Sequence, residues 1–309
     1  MNRVAIALVA LLALTGCSEI GSLSDKAQID LALGNLTTEL DTVAGIQTEY
    51  TAELQPDFTY QVYVHATAPQ LDDEQLLAAA LLARDALSEG VFDRGQVSFD
   101  LSVPEGALLS MWDFAITDDA LRDELALAAQ LGDAYGSAAT LSIGQGDAAS
   151  TVGVRSAAPS PDWDAIRALV ADNPGRSWSL PGLSFDGAVP PPELTDLVDG
   201  IGGILPLGFT EQVYVSVDWY GETTSVTVAA PDVDVADPTA SSYWPQAQQV
   251  AALLAASALQ SRSLMFYGLD RQGTATVFFG ECAQSAVLSD GDAVLAAALG
   301  SGAQPGLCA

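Results

Sequence analysis

Apolar residues along the chain change spacing in a recurring order: a stretch at the helical interval of three to four, then two stretches at the strand interval of two. Ser24 caps the first such helix, whose Ile29, Leu33, Leu36, Leu40 and Val43 form one stripe closed by Gly45. Two alternating runs follow, Ile46–Glu53 and Phe58–Thr67, joined by a Gln55-Pro56-Asp57 turn. The pattern then repeats: a helix at Leu71–Ser88 with strands at Gln96–Val103 and Ala107–Ile116, and a helix capped by Thr117 with strands at Ala138–Gly144 and Ser150–Ser156. Ser160-Pro161 opens a fourth helix carrying Trp163, Ile166, Leu169 and Val170. Further helices are predicted at Glu193–Ile204, Trp244–Ser261 and Ser289–Leu299, with strands at Glu211–Tyr220, Glu222–Ala230, Leu264–Gly268 and Thr274–Gly280.

An amphipathic helix and a half-buried hairpin each need a cover for one apolar face. Successive α-β-β units of this kind are expected to form an α+β fold of two-layer sandwiches with antiparallel sheets, of the ferredoxin-like type. Residues 174–192, with Pro174, Pro181, Gly182, Gly187 and Pro190-Pro191-Pro192, read as a linker between an N-terminal region at 24–173 and a C-terminal one at 193–309. The motif FT-x-QVYV occurs twice, at Phe58–Val64 and Phe209–Val215. The first copy falls in the second strand of its hairpin and the second copy in the first strand, so the match reads as strand chemistry: Val62, Val64, Val213 and Val215 fill one face, Gln61, Tyr63, Gln212 and Tyr214 the other.

The N-terminus has a short basic start, Asn2-Arg3, an apolar run at Val4–Leu14 and then Leu14-Thr15-Gly16-Cys17. The run is far short of the roughly 20 residues that span a bilayer. These 17 residues resemble the signal of bacterial lipoproteins, which closes on a lipobox of this form. The resemblance implies a signal peptide at 1–16, lipid on Cys17, a tether at 17–23, and a protein held to the cell membrane on its extracytoplasmic side. In that oxidising compartment the two remaining cysteines, Cys282 and Cys308, are expected to form a disulfide; a catalytic thiol is the alternative.

Charge narrows the partners. Lys and Arg number 10 against 40 Asp and Glu, and Lys26 is the sole lysine, which excludes nucleic acid and electrostatic adhesion to anionic head groups. One histidine, His65, is too few for an ordinary zinc site, and on the outward face with Gln61 and Tyr63 it reads as a solvated surface residue. No nucleophile elbow, Walker loop or dinucleotide-binding glycine motif occurs, and no cofactor is expected. Asp232, Asp234 and Asp237 in the loop PDVDVADPT are the candidate ligands for a hard cation such as calcium, although an EF-hand's glycine and bidentate glutamate are missing. Asp290-Gly291-Asp292 reads instead as a capped helix start. Three functions follow as expectations: a non-catalytic binding or structural module of the envelope with an envelope protein as partner; a lipoprotein holding a cation or basic peptide in acidic loops; and a hydrolase using a carboxylate pair brought together only by folding.

Overall fold

The computed structural model describes residues 25–43, 46–56, 59–68, 71–93, 95–102, 106–144, 150–155, 162–210, 212–269, 273–280, 285–287, 289–300 and 302–308. The chain divides between Ser150 and Thr151 into two compact units. All seven helices foreseen from periodicity are present. The segment at 174–192 is not a linker: it folds as a hairpin of the second unit.

In the first unit α1 (25–42) precedes the hairpin β1 (Gln47–Leu54) and β2 (Tyr60–Thr67). Then come α2 (Asp73–Leu87), the hairpin β3 (Gly95–Ser102) and β4 (Leu108–Met111), α3 (Asp118–Tyr135) and β5 (Ala139–Ile143). Local chemistry sets the helix starts. Asp72 and Gln75 form a reciprocal capping box on α2, and the Thr117 hydroxyl accepts the Ala120 amide at the head of α3.

Strand order follows chain order. β1 and β2 are antiparallel, β2 and β3 parallel, β3 and β4 antiparallel, β4 and β5 parallel. This overturns the ferredoxin-like expectation of antiparallel sheets. Each helix recrosses the hairpin before it, so the next hairpin starts alongside in the same direction, and the sheet becomes mixed and grows by sequential addition.

The second unit builds in the same way. β6 (Ser150–Val154), α4 (Trp163–Asp172) and the hairpin β7 (Ser177–Leu180) and β8 (Leu183–Asp186) are followed by α5 (Pro192–Gly202) and the short β9 (Gly208–Phe209). β10 (Tyr214–Tyr220) and β11 (Thr223–Ala230), α6 (Trp244–Ala256), and β12 (Ser261–Gly268) and β13 (Thr274–Gly280) come next. The chain ends with β14 (Ser285–Ala286), α7 (Asp290–Leu299), β15 (Gln304–Pro305) and β16 (Leu307–Cys308). The order is β6-β7-β8-β10-β11-β12-β13-β15, with parallel joins at β6–β7, β8–β10 and β11–β12; β9 pairs with β10, and β14–β16 is a separate ribbon. Fourteen strands in all belong to mixed sheet.

Register shows where each core sits. In the first unit Val64, Phe99, Met111 and Ile143 share a row, as do Ala66, Leu101, Leu109 and Leu141; all eight are buried. In the second, Leu183, Val217, Val226, Leu264 and Val277 do the same. Buried residues of the helices, such as Leu121, Leu131, Leu194, Val198, Val250 and Leu254, complete these cores. The two FT-x-QVYV copies do occupy different slots: β2 lies between β1 and β3, whereas β10 begins against β9 and β8. Among the described residues, no helix is long and apolar enough to cross a membrane.

Asp292 ties α7 to the sheet. It is fully buried, and its carboxylate accepts the Ser289 amide at 3.1 Å, the Ser289 hydroxyl at 2.9 Å and the Thr276 amide of β13 at 2.9 Å. Asp292→Ala deprives the buried Thr276 amide and the part-buried Ser289 amide of their acceptor, while the Ser289 hydroxyl keeps the Thr274 carbonyl at 2.7 Å; the expected cost is about 2–4 kcal/mol in urea unfolding. A loss below about 0.5 kcal/mol would contradict this account of the carboxylate.

Candidate binding site

The residue alternation that builds the cores puts many polar side chains on the opposite sheet face, with Ala229 and Phe278 as buried apolar exceptions. In the second unit one row across that face runs Ser179, Ser184, Asp218, Ser225, Ser263. Beside it an open cleft of about 1130 Å³ lies where β6 and β7 end and β8 and β10 begin. Ser179, Ser184 and Ser216 contribute hydroxyls to its lining, and Arg155 and Asp199 its charges. Asp199 is held by the Trp163 indole N–H at 3.0 Å, a contact that also joins α4 to α5. Phe209 stands at the rim, 76% exposed, with its ring centroid 6.4 Å from that of Tyr214.

Local conformation shapes two walls of this cleft. Gly182 turns β7 into β8 at φ 76°, and a Cβ there would lie 2.4 Å from the Leu207 Cβ, so only glycine lets the hairpin tip approach the segment after α5. Thr210 forms a tight turn by accepting the Val213 amide at 3.0 Å and donating its hydroxyl to the Val213 carbonyl at 2.8 Å. The threonine of this FT-x-QVYV copy therefore starts a strand and needs no catalytic explanation.

Asp218 does not line the cleft; the polar row places it next to Ser184, which does. Asp218 accepts the Ser216 hydroxyl at 3.3 Å, but burial dominates and pushes its carboxyl above the usual carboxylate range. Tyr220, two residues along the same face, is raised first by burial and then by the carboxylates of Asp218 and Asp186. Asp186 in turn accepts the Ser177 hydroxyl at 2.6 Å. Two acids and a phenol thus share the polar face, on strands far apart in sequence. A desolvated carboxylate near a cleft is a candidate group for recognition or proton transfer.

The structure separates most residues singled out from sequence. Cys17 and Cys282 lie outside the described residues; Cys308 is in β16, its backbone paired with Ser285. Asp232, Asp234 and Asp237 each commit an oxygen to their own loop. Asp232 accepts the Ser242 amide at 2.7 Å and the Ser241 hydroxyl at 2.9 Å, Asp234 the Ala236 amide at 2.9 Å, and Asp237 the Thr239 hydroxyl at 2.7 Å. The Ser242 amide, foremost, holds the Asp232 carboxyl below its ordinary value. Among the described residues no three His, Cys, Asp or Glu side chains come together as a metal site.

His65 is exposed, as expected, with Nε2 3.3 Å from the Thr67 hydroxyl. The sheet does supply what its own segment lacks, since Glu49 of β1 and Asp100 of β3 are its direct neighbours in register. Asp100 Oδ1 is buried and makes no hydrogen bond. No family model, curated protein or solved structure matches the chain.

A carboxyl whose native pKa lies above its unfolded value supports the fold at pH below the unfolded pKa, and that support is lost as pH rises through the native pKa. Asp218→Asn puts a group that does not ionise where burial penalises the charged form of the carboxyl. Thermal unfolding is therefore expected to shift upward at pH 7 and to change less at pH 3. Equal shifts at both pH values would mean that Asp218 is not held in an unfavourable ionised state.

Proposed function

We propose that the chain is a lipid-anchored protein of the extracytoplasmic side of a bacterial cell envelope, acting there as a non-catalytic binding module through the cleft of its second unit. The cleft's composition carries this reading. Its groups are those of recognition: one guanidinium and one carboxylate, hydroxyls from Ser179, Ser184 and Ser216, and an exposed aromatic at Phe209. None of these hydroxyls is hydrogen-bonded to a histidine, as an activated nucleophile would be. The basic start, apolar run and Leu14-Thr15-Gly16-Cys17 support the anchor. Each buried methylene of an attached acyl chain would add about 0.8 kcal/mol of membrane affinity, so two or three chains suffice.

Two strains test both halves. Cys17→Ala is expected to release the protein from membranes after a high-salt wash, and retention would refute lipid anchoring. A photo-crosslinking residue in place of Phe209 is expected to capture a defined adduct that the same residue in place of Leu31, also well exposed, does not. Identical adduct patterns from both positions would refute the cleft as the recognition site.

A further inference from the structure

The first strand of the first unit is an open edge. Among the described residues β1 pairs only with β2, and the register is unbroken from Gln47↔Thr67 to Leu54↔Tyr60. The Gln55 amide donates to the Thr59 carbonyl at 2.8 Å, which sets the phase of the ladder. Odd-numbered residues of β1 therefore give their backbone groups to β2, and Thr48, Tyr50, Ala52 and Leu54 turn theirs outward. Such a row of free N–H and C=O groups is a template for another strand. The second unit treats its last long strand differently, covering β13 with β15 at Val277 and Phe278.

Of the usual protections of an edge, only charge is present, as Glu49 and Glu53. β1 has no proline and no bulge, and it runs for eight residues. Its side chains define what can pair with it. Tyr50 and Leu54, on the helix-bearing face, are 38% and 47% exposed. Glu49 and Glu53 project from the other face, where Asp100 also lies, and β1, β2 and β3 contain no Lys or Arg. A second copy fits poorly, because antiparallel pairing of two β1 strands about Thr51 sets Glu49 against Glu53 on both sides.

We infer that β1 accepts an extended basic segment of another protein as an added strand, one that alternates Lys or Arg with apolar residues. Its basic side chains lie beside Glu49 and Glu53, and its apolar ones rest on Tyr50 and Leu54. Backbone pairing gives affinity, and the alternation gives selectivity. This surface is in the first unit and does not depend on the cleft.

The probe is a fluorescent eight-residue peptide alternating lysine and valine, the length of β1, titrated against the full chain. Controls are the same residues in two blocks, an alternating glutamate–valine peptide, and the lysine–valine peptide N-methylated at alternate residues. The alternating basic peptide is expected to bind at least about tenfold tighter than every control. Ala52→Pro removes one outward N–H and leaves the ladder to β2 intact, so it is expected to weaken binding about tenfold without lowering the thermal midpoint. Glu49→Gln with Glu53→Gln is expected to weaken binding and flatten its salt dependence. Equal binding of blocked and alternating peptides, or no loss on N-methylation, would overturn the proposal in favour of unspecific attraction to an acidic protein. A chain that sediments as a dimer and becomes monomeric with Ala52→Pro would overturn it in favour of a second copy. The N-methylated peptide leaves the protein untouched, so the test stands even where Ala52→Pro folds poorly.

Discussion

The one-sided burial of the sheet is the constraint on which the other features depend. Strand order advances by one neighbour at each crossover, and within each unit consecutive helices pack on one another, α2 on α3 and α5 on α6, so they lie together on one face. The apolar residues of all strands must then share that face, and the register shows that they do: Val64, Phe99, Met111 and Ile143 in one unit, Leu183, Val217, Val226 and Leu264 in the other. The opposite face is polar on β8 and β10, although Ala229, Ser263 and Phe278 on β11 to β13 are buried there as well. It is free to carry Ser184, Asp218 and Ser225 in one unit and Glu49, His65 and Asp100 in the other. A doubly covered sheet would have filled those positions with valine and isoleucine.

This separation explains how a strongly acidic chain folds around an ordinary core. Its carboxylates sort into four kinds of environment. Asp292 is buried and surrounded by donors, so it acts as a structural joint. Asp232, Asp234 and Asp237 close their own loop and are partly neutralised by its amides and hydroxyls. Asp218, by contrast, is half-buried with one long hydrogen bond, and Glu49 and Glu53 stand on an open edge in a pair of strands that contain no Lys or Arg. Only the last two kinds retain unspent interaction energy: Asp218 in the row next to the cleft residue Ser184, and Glu49 with Glu53 on the edge assigned to binding.

Much of this was legible in the sequence, and the limits have physical causes. Helices were visible because stripes such as Ile29, Leu33, Leu36 and Leu40 repeat at the helical interval and are bounded by caps. The neighbour that a strand chooses leaves no local mark, so parallel joins such as Val64 beside Phe99 were not foreseen and an antiparallel sandwich was expected. The hairpin β7–β8 did leave a signal: Trp178 and Leu180, then Leu183 and Phe185, alternate with polar residues around Pro181-Gly182. Proline and glycine content hid it, and with it the row that carries Asp218. The pairing of His65 with Glu49 and Asp100 was beyond reach for the same reason, since each comes from a different strand.

Hydroxyl-radical footprinting tests the one-sided sheet most directly, because neighbouring aromatics sit on opposite faces. Tyr60 is 6% exposed and Tyr63 40%; Trp178 is 2% exposed and Tyr220 51%. The account predicts oxidation of Tyr63 and Tyr220 many times faster than of Tyr60 and Trp178, despite the intrinsic reactivity of tryptophan. Comparable rates within either unit would mean that the polar face is covered or the register is wrong, and the surfaces assigned to binding would go with it.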